Sequence, residues 1–246
     1  MSFNPLYIPV AAAYGCVLLL RLLNKNRLAR IALLIAFFLQ AVFLTARSLS
    51  FGFFNSGGIF EEQVFLPFSL AGIGLWLWSS RHDEEAAAVA AVAACIALLS
   101  LPIDKGVIPP SPKSSSLLVP VFFFCEILAH ALFIAAATLA AWRPKGEASF
   151  PQAHRLAVWG FVLFSAAQVS GAAWCYQGWS VPFQWSFRHL HSAAIWCFFA
   201  NYIHLRFMPW WTDRRKAAYL TAGALLLVAY LAALQFIEAG QQRIGG

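Results

Sequence analysis

Glu126 and His130 stand four residues apart in the apolar run LLVPVFFFCEILAHALFIAAATLAAW, which carries no other charged side chain. On a helix that spacing places both on one face. A carboxylate that accepts from an imidazole N–H fixes the ring's tautomer and leaves the other nitrogen for a metal. The same two groups could instead hydrogen-bond neighbouring helices together or relay a proton. His189 and His191 flank Leu190 beside Arg188, and at i and i+2 they do not share a helical face. His204 lies near the end of the apolar run that follows them. Imidazole is an axial ligand for haem iron, aromatic rings stack on the macrocycle, and a guanidinium suits a propionate. Trp174, Trp179 and Trp185 precede these histidines, together with Tyr176 and Phe183. On their own they also fit an interfacial aromatic belt. Cys16, Cys95, Cys125, Cys175 and Cys197 form no CxxC pair, so neither a thioredoxin-like motif nor a zinc site is indicated, and most read as small core residues. His82 and His154 fall in polar turns and read as surface residues.

Lipid-embedded helices must position these groups. Of the 246 residues 61% are hydrophobic and 11% charged, and mean hydropathy is +0.70, which excludes an ordinary soluble domain. The net charge of +7 comes from basic residues in short gaps between apolar runs. That is membrane topology rather than a nucleic-acid surface. Runs near the length needed to span fall at 6–24, 28–48, 63–80, 85–103, 117–142, 154–174, 188–208 and 217–239. RHDEE at 81–85 separates the third and fourth as a helix pair joined by a tight polar turn, since lipid would not tolerate it.

The expectation is therefore an all-α integral membrane protein, a single polytopic domain over 1–246 with about eight transmembrane helices. The amino terminus lacks a basic n-region, so the first helix is expected to be retained with its amino terminus outside. Twelve of the seventeen basic residues, Arg21 and Arg214 among them, then fall on the cytoplasmic side. Five, Arg47, Lys105, Lys113, Arg188 and Arg243, fall outside, and both termini are outside. Of the outer gaps, 49–62 is Gly/Phe-rich and ends in Glu61-Glu62, which would also suit a helix amino terminus. The gap at 104–116 is a Pro/Ser connector, and 175–187 reads as an aromatic loop. Trp210-Trp211 with Arg214, Arg215 and Lys216 reads as an interface anchor over anionic headgroups.

The segment Gly171–Arg206, GAAWCYQGWSVPFQWSFRHLHSAAIWCFFANYIHLR, resembles the WWD segment of the CcsA/ResC and CcmC cytochrome c assembly family. Gly171, Trp174, Trp179, Trp185, Trp196, Tyr202, His204 and Arg206 fall on matching positions, and Arg188 keeps a basic residue of the pattern. Weaker likeness around Arg47 and Phe60-Glu61 extends the resemblance over about 28–240. It implies an eight-helix bundle in a bacterial inner membrane with a tryptophan-rich platform on its outer face. It also implies b-type haem as the group handled, by binding, translocation or presentation, with apocytochrome c and a separate soluble-domain assembly protein as partners. No catalytic nucleophile is implied.

Departures from the family's pattern are specific. Gln40 stands at the second-helix histidine, Phe122 near an outer-face histidine, and Ser186 at the aspartate of WWD. Phe187, His189, His191 and Phe183 replace a proline, a glutamate and two tryptophans, and no histidine follows His204. His130 and His204 fall at similar depths, about 20 and 24 Å below the outer ends of their runs at 1.5 Å per residue. The two could hold haem iron between them inside the bundle. Either His189 or His191 could ligate haem lying over Trp174, Trp179 and Trp185, with Arg188 at a propionate. A second reading is a repurposed family member that acts as a membrane partner or anchor subunit, or as a HemX-like regulator of tetrapyrrole synthesis. A proton relay through Glu126 and His130 is a third.

Overall fold

The computed structural model describes residues 4–51, 59–101, 116–142 and 149–244. These form eight α-helices: α1 Asn4–Leu22, α2 Asn26–Phe51, α3 Ile59–Ser79, α4 Asp83–Leu99, α5 Leu118–Ala141, α6 Ser149–Trp179, α7 Phe187–His204 and α8 Asp213–Ile244. A short 3-10 turn, Leu205–Phe207, continues α7. Much of the glycine-rich and Pro/Ser connectors, with Lys105 and Lys113, lies outside the described residues, as do Arg143 and Lys145 and the side chains of Phe60, Phe187 and Arg243. Among the described residues three helices, α2, α5 and α6, are long and apolar enough to cross a membrane. The chain is a multi-pass membrane protein.

Helix ends follow local chemistry. Asn24, Arg81 and Ser180 take positive φ just after α1, α3 and α6, the left-handed conformation that closes a helix. At the second of these, His82 N–H donates to Leu77 O at 3.0 Å, which makes the expected tight polar turn. Asp83, Glu84 and Glu85 then occupy the first turn of α4, where the helix dipole favours carboxylates.

Helices α1 to α4 pack as one group and α5 to α8 as another, joined chiefly where α5 meets α3 and α4. Alanines make the centre. Seven alanines of α4 are buried, as is the run Ala135–Ala137 of α5, and small side chains let helices approach closely in lipid. Helices α5 and α6 cross closely: a Cβ at Gly160 would lie 2.9 Å from the Phe133 ring, and one at Gly171 2.9 Å from the Phe122 ring.

Polar side chains fasten the first group. Tyr14 donates to Gln40 Oε1 at 2.5 Å and Gln40 Nε2 donates to Val64 O at 2.6 Å, so both ends of this fully buried amide hold α1, α2 and α3 together. Ser100 Oγ meets Tyr7 Oη at 3.0 Å between α4 and α1. Arg47 and Glu61 form a buried 2.9 Å ion pair between α2 and α3.

One sequence expectation is corrected by length. The aromatic gap read as a loop over 175–187 is helical as far as Trp179, leaving only residues 180–186 outside helices. No proline interrupts the run before Pro182, so α6 continues until Ser180 turns it.

Candidate functional site: an aromatic cavity between α6 and α7

Extending α6 by more than a turn carries Trp174 and Trp179 up one wall of a cavity of about 660 Å³, within the range of roughly 300–1,000 Å³ common for cofactor sites. The facing wall is the start of α7, with Arg188, His189, Ser192 and Trp196, and Pro182 and Phe183 of the connecting loop close the rim. Trp174 and Trp179 meet edge to face at 5.7 Å between centroids, and Phe122 of α5 lies 6.4 Å from Trp174. Trp196 Nε1 donates to Ser165 Oγ at 3.0 Å, tying the two walls together lower down. Cys175, Cys197 and Gln168 line the interior.

Ser186 begins α7 as its N-cap, accepting from His189 N–H. The same Oγ lies 2.8 Å from His189 Nδ1. A hydroxyl that holds Nδ1 sets the ring's orientation and leaves Nε2 as the ligating nitrogen. Phe183 packs on this ring at 5.4 Å and carries Trp185 edge-on at 5.5 Å. Trp185 is itself 86% exposed and does not line the cavity.

Arg188 serves carboxylates of the protein. Its Nη2 lies 3.7 Å from Glu126 Oε2 and 3.9 Å from Glu62 Oε1, while its Cζ stands 5.5 Å over the Phe122 ring. The expected partnership of Glu126 with His130 is therefore replaced: Glu126 turns outward to Arg188. His130 packs against Phe164 at 5.6 Å, and its Nε2 has no hydrogen-bond partner among the described residues.

Nor do His130 and His204 meet. Helices α5 and α7 run in the same direction, and Phe133 stacks on Phe199 at 3.5 Å, which sets their register. His130 lies three residues above that level and His204 five below, together eight residues or about 12 Å along the axes. His204 donates from Nδ1 to Ala200 O at 2.7 Å on an exposed face, whereas His130 is buried. The similar depths read from the sequence fail because α7 starts deeper relative to α5 than the run lengths suggest. His191 points away from the cavity and stacks nearly parallel, at 13°, on Tyr230 of α8.

The structure thus brings Trp174, Trp179, Arg188 and His189 to one cavity and leaves Trp185, His191, His130 and His204 elsewhere. Sequence reasoning missed Glu62 as a partner of Arg188, since the two are far apart in the chain. It also missed the work of Ser186, although serine three residues before a histidine at a helix start is a legible cap signal. Among the described residues no three His, Cys, Asp or Glu side chains converge. For haem, the donor set at the cavity fits one axial histidine and aromatic walls. The bundle interior does not fit a histidine pair.

No protein-family model matches the chain. The chain is similar to curated proteins named cytochrome c biogenesis protein CcsA. In Prochlorococcus marinus strain MIT 9312 the identity is 29% over 92 residues. In strain MIT 9215 it is likewise 29% over 92 residues, and in strain MIT 9515 it is 27% over 92 residues. The match covers 37% of this chain, and the chain spans about 30% of the length of these relatives. This distant relationship supports the resemblance to cytochrome c assembly proteins.

Proposed function

We propose that this chain is a haem-handling membrane protein of the cytochrome c assembly type, with eight membrane-spanning helices in a bacterial inner membrane and both termini on the outer side. It binds or presents b-type haem rather than performing catalysis with a nucleophile of its own. The observation that carries this reading is His189, its Nδ1 engaged by Ser186, on an aromatic cavity walled by Trp174, Trp179, Phe183 and Trp196. His189 would hold the iron and the tryptophans would stack on the ring. Haem bound there would supply the vinyl groups and iron that cytochrome c maturation attaches to a polypeptide. This chain's residues orient His189 through Ser186, exclude water with aromatic walls, and keep Arg188 beside Glu62 and Glu126. Apocytochrome c and a separate soluble assembly protein are the partners that the CcsA relationship suggests, and the exposed rim at Trp185 is where such a partner would approach.

A second reading, a repurposed partner subunit or regulator of tetrapyrrole synthesis without bound haem, draws support from Gln40. Its amide is used entirely in packing where the family has a histidine. Absorption spectra and pyridine haemochrome assays on detergent-purified protein separate the two. The first reading expects b-type haem that is lost in His189→Ala and kept in His191→Ala and His130→Ala. Absence of haem in protein from haem-replete cells would overturn it in favour of the second.

A further inference from the structure

At the opposite end of the bundle the start of α6, the end of α7 and the first turn of α8 enclose another cavity, of about 500 Å³. One side is cationic, with Arg155, Arg206 and Lys216, and the other is apolar, with Phe150, Val158 and Trp159. Asp213, the carboxylate among the lining residues, already pairs with Lys216 at 3.5 Å, so positive charge remains in excess. Tyr202 also lines this space. It is 2% exposed, and its hydroxyl has no hydrogen-bond partner among the described residues. A buried hydroxyl left unbonded is destabilising, and a ligand oxygen between it and the two arginines would satisfy it. His154 also lines the cavity, its ring 5.8 Å from the Tyr202 ring.

Guanidinium groups converging with an ammonium and a hydroxyl are the donor set for a phosphate, whose oxygens accept from several directions at once. The apolar wall beside them suits a hydrocarbon or aromatic body attached to that phosphate. The adjacent residues Trp210, Trp211, Arg214 and Arg215 are of the kind that sits at a headgroup layer.

We propose that this cavity is a binding site for a phosphate-bearing amphiphile, held by Arg155, Arg206, Lys216 and the Tyr202 hydroxyl. Its chemistry is that of an anionic phospholipid headgroup or of a soluble phosphate ester with an apolar moiety.

The test uses the full chain in detergent, titrated with phosphatidylglycerol or phosphatidylcholine and followed by native mass spectrometry, with inorganic phosphate as competitor. One phosphatidylglycerol should be retained per chain in preference to phosphatidylcholine. Arg206→Gln should raise the apparent Kd about tenfold, the scale of losing a charge-assisted bidentate contact. Tyr202→Phe, which removes one oxygen and preserves the shape of the side chain, should weaken binding by a smaller factor. Arg214→Gln, outside the cavity, should leave it unchanged. Displacement of the lipid by millimolar inorganic phosphate assigns the site to a soluble phosphate compound, and failure of that displacement assigns it to the lipid headgroup. The proposal is overturned if neither lipid selectivity nor phosphate binding is seen. It is equally overturned if Arg214→Gln weakens binding as much as Arg206→Gln, which would mean a diffuse surface charge.

Discussion

The hydroxyl of Ser186 meets both the backbone N–H and the ring Nδ1 of His189, so one substitution tests the cap and the ligand orientation together. Ser186→Ala should cost about 1 kcal/mol of stability through the lost cap and lower haem retention. Ser186→Asp, which can accept from both donors, should restore each, and it returns the residue found in the WWD pattern. Thermal unfolding and haem content per chain are the measurements. Haem retained in Ser186→Ala and lost in Ser186→Asp would contradict the orientation argument. Arg188 makes a second test. Glu126 is buried beside it and Glu62 approaches from α3, so Arg188→Ala leaves two carboxylates facing each other without their cation. Melting temperature should fall in Arg188→Ala and recover when Glu126→Gln is added, and a double variant no more stable than the single one would show that the carboxylates do not depend on Arg188.

At the scale of elements, apolar run length and polar punctuation disclosed the eight helices, because every connector carries charge, glycine, proline or serine. The end of α6 was not legible. Aromatic residues serve a helix and an interfacial loop equally well, and Ser180's left-handed turn depends on context rather than composition. Register between helices was equally hidden: depth counted from the outer end of each run put His130 level with His204, and only the Phe133–Phe199 stack reveals the offset. Helices α5 and α6 cross closely at Gly160. Gly160→Ala would place a methyl 2.9 Å from Phe133 and 3.3 Å from Ala129 O, a strain that typically costs about 1–3 kcal/mol. Adding Phe133→Leu should recover part of that loss. Denaturant unfolding of the two single variants and the pair provides the cycle, and strict additivity would mean that the contact does not limit the approach of these helices.

For the whole molecule, the two ends of the second helix group differ in kind. One end gathers tryptophans around His189, with Arg188 beside them. The other gathers Arg155, Arg206, Arg214, Arg215 and Lys216 near Trp210 and Trp211. Lipid bilayers impose such a difference, because basic residues are retained on the cytoplasmic side while aromatic residues settle at both interfaces. Helix α7 lies between the two ends, so its direction fixes which face the aromatic cavity opens to. In a variant with all five native cysteines replaced, Trp185→Cys should react with a membrane-impermeant maleimide in intact cells. Arg214→Cys should react only after permeabilisation. Both side chains are exposed, so burial does not confound the comparison. Labelling of the two positions from the same side would mean that α7 does not cross the membrane, and an outward-facing haem platform could not then be built from its amino-terminal turn.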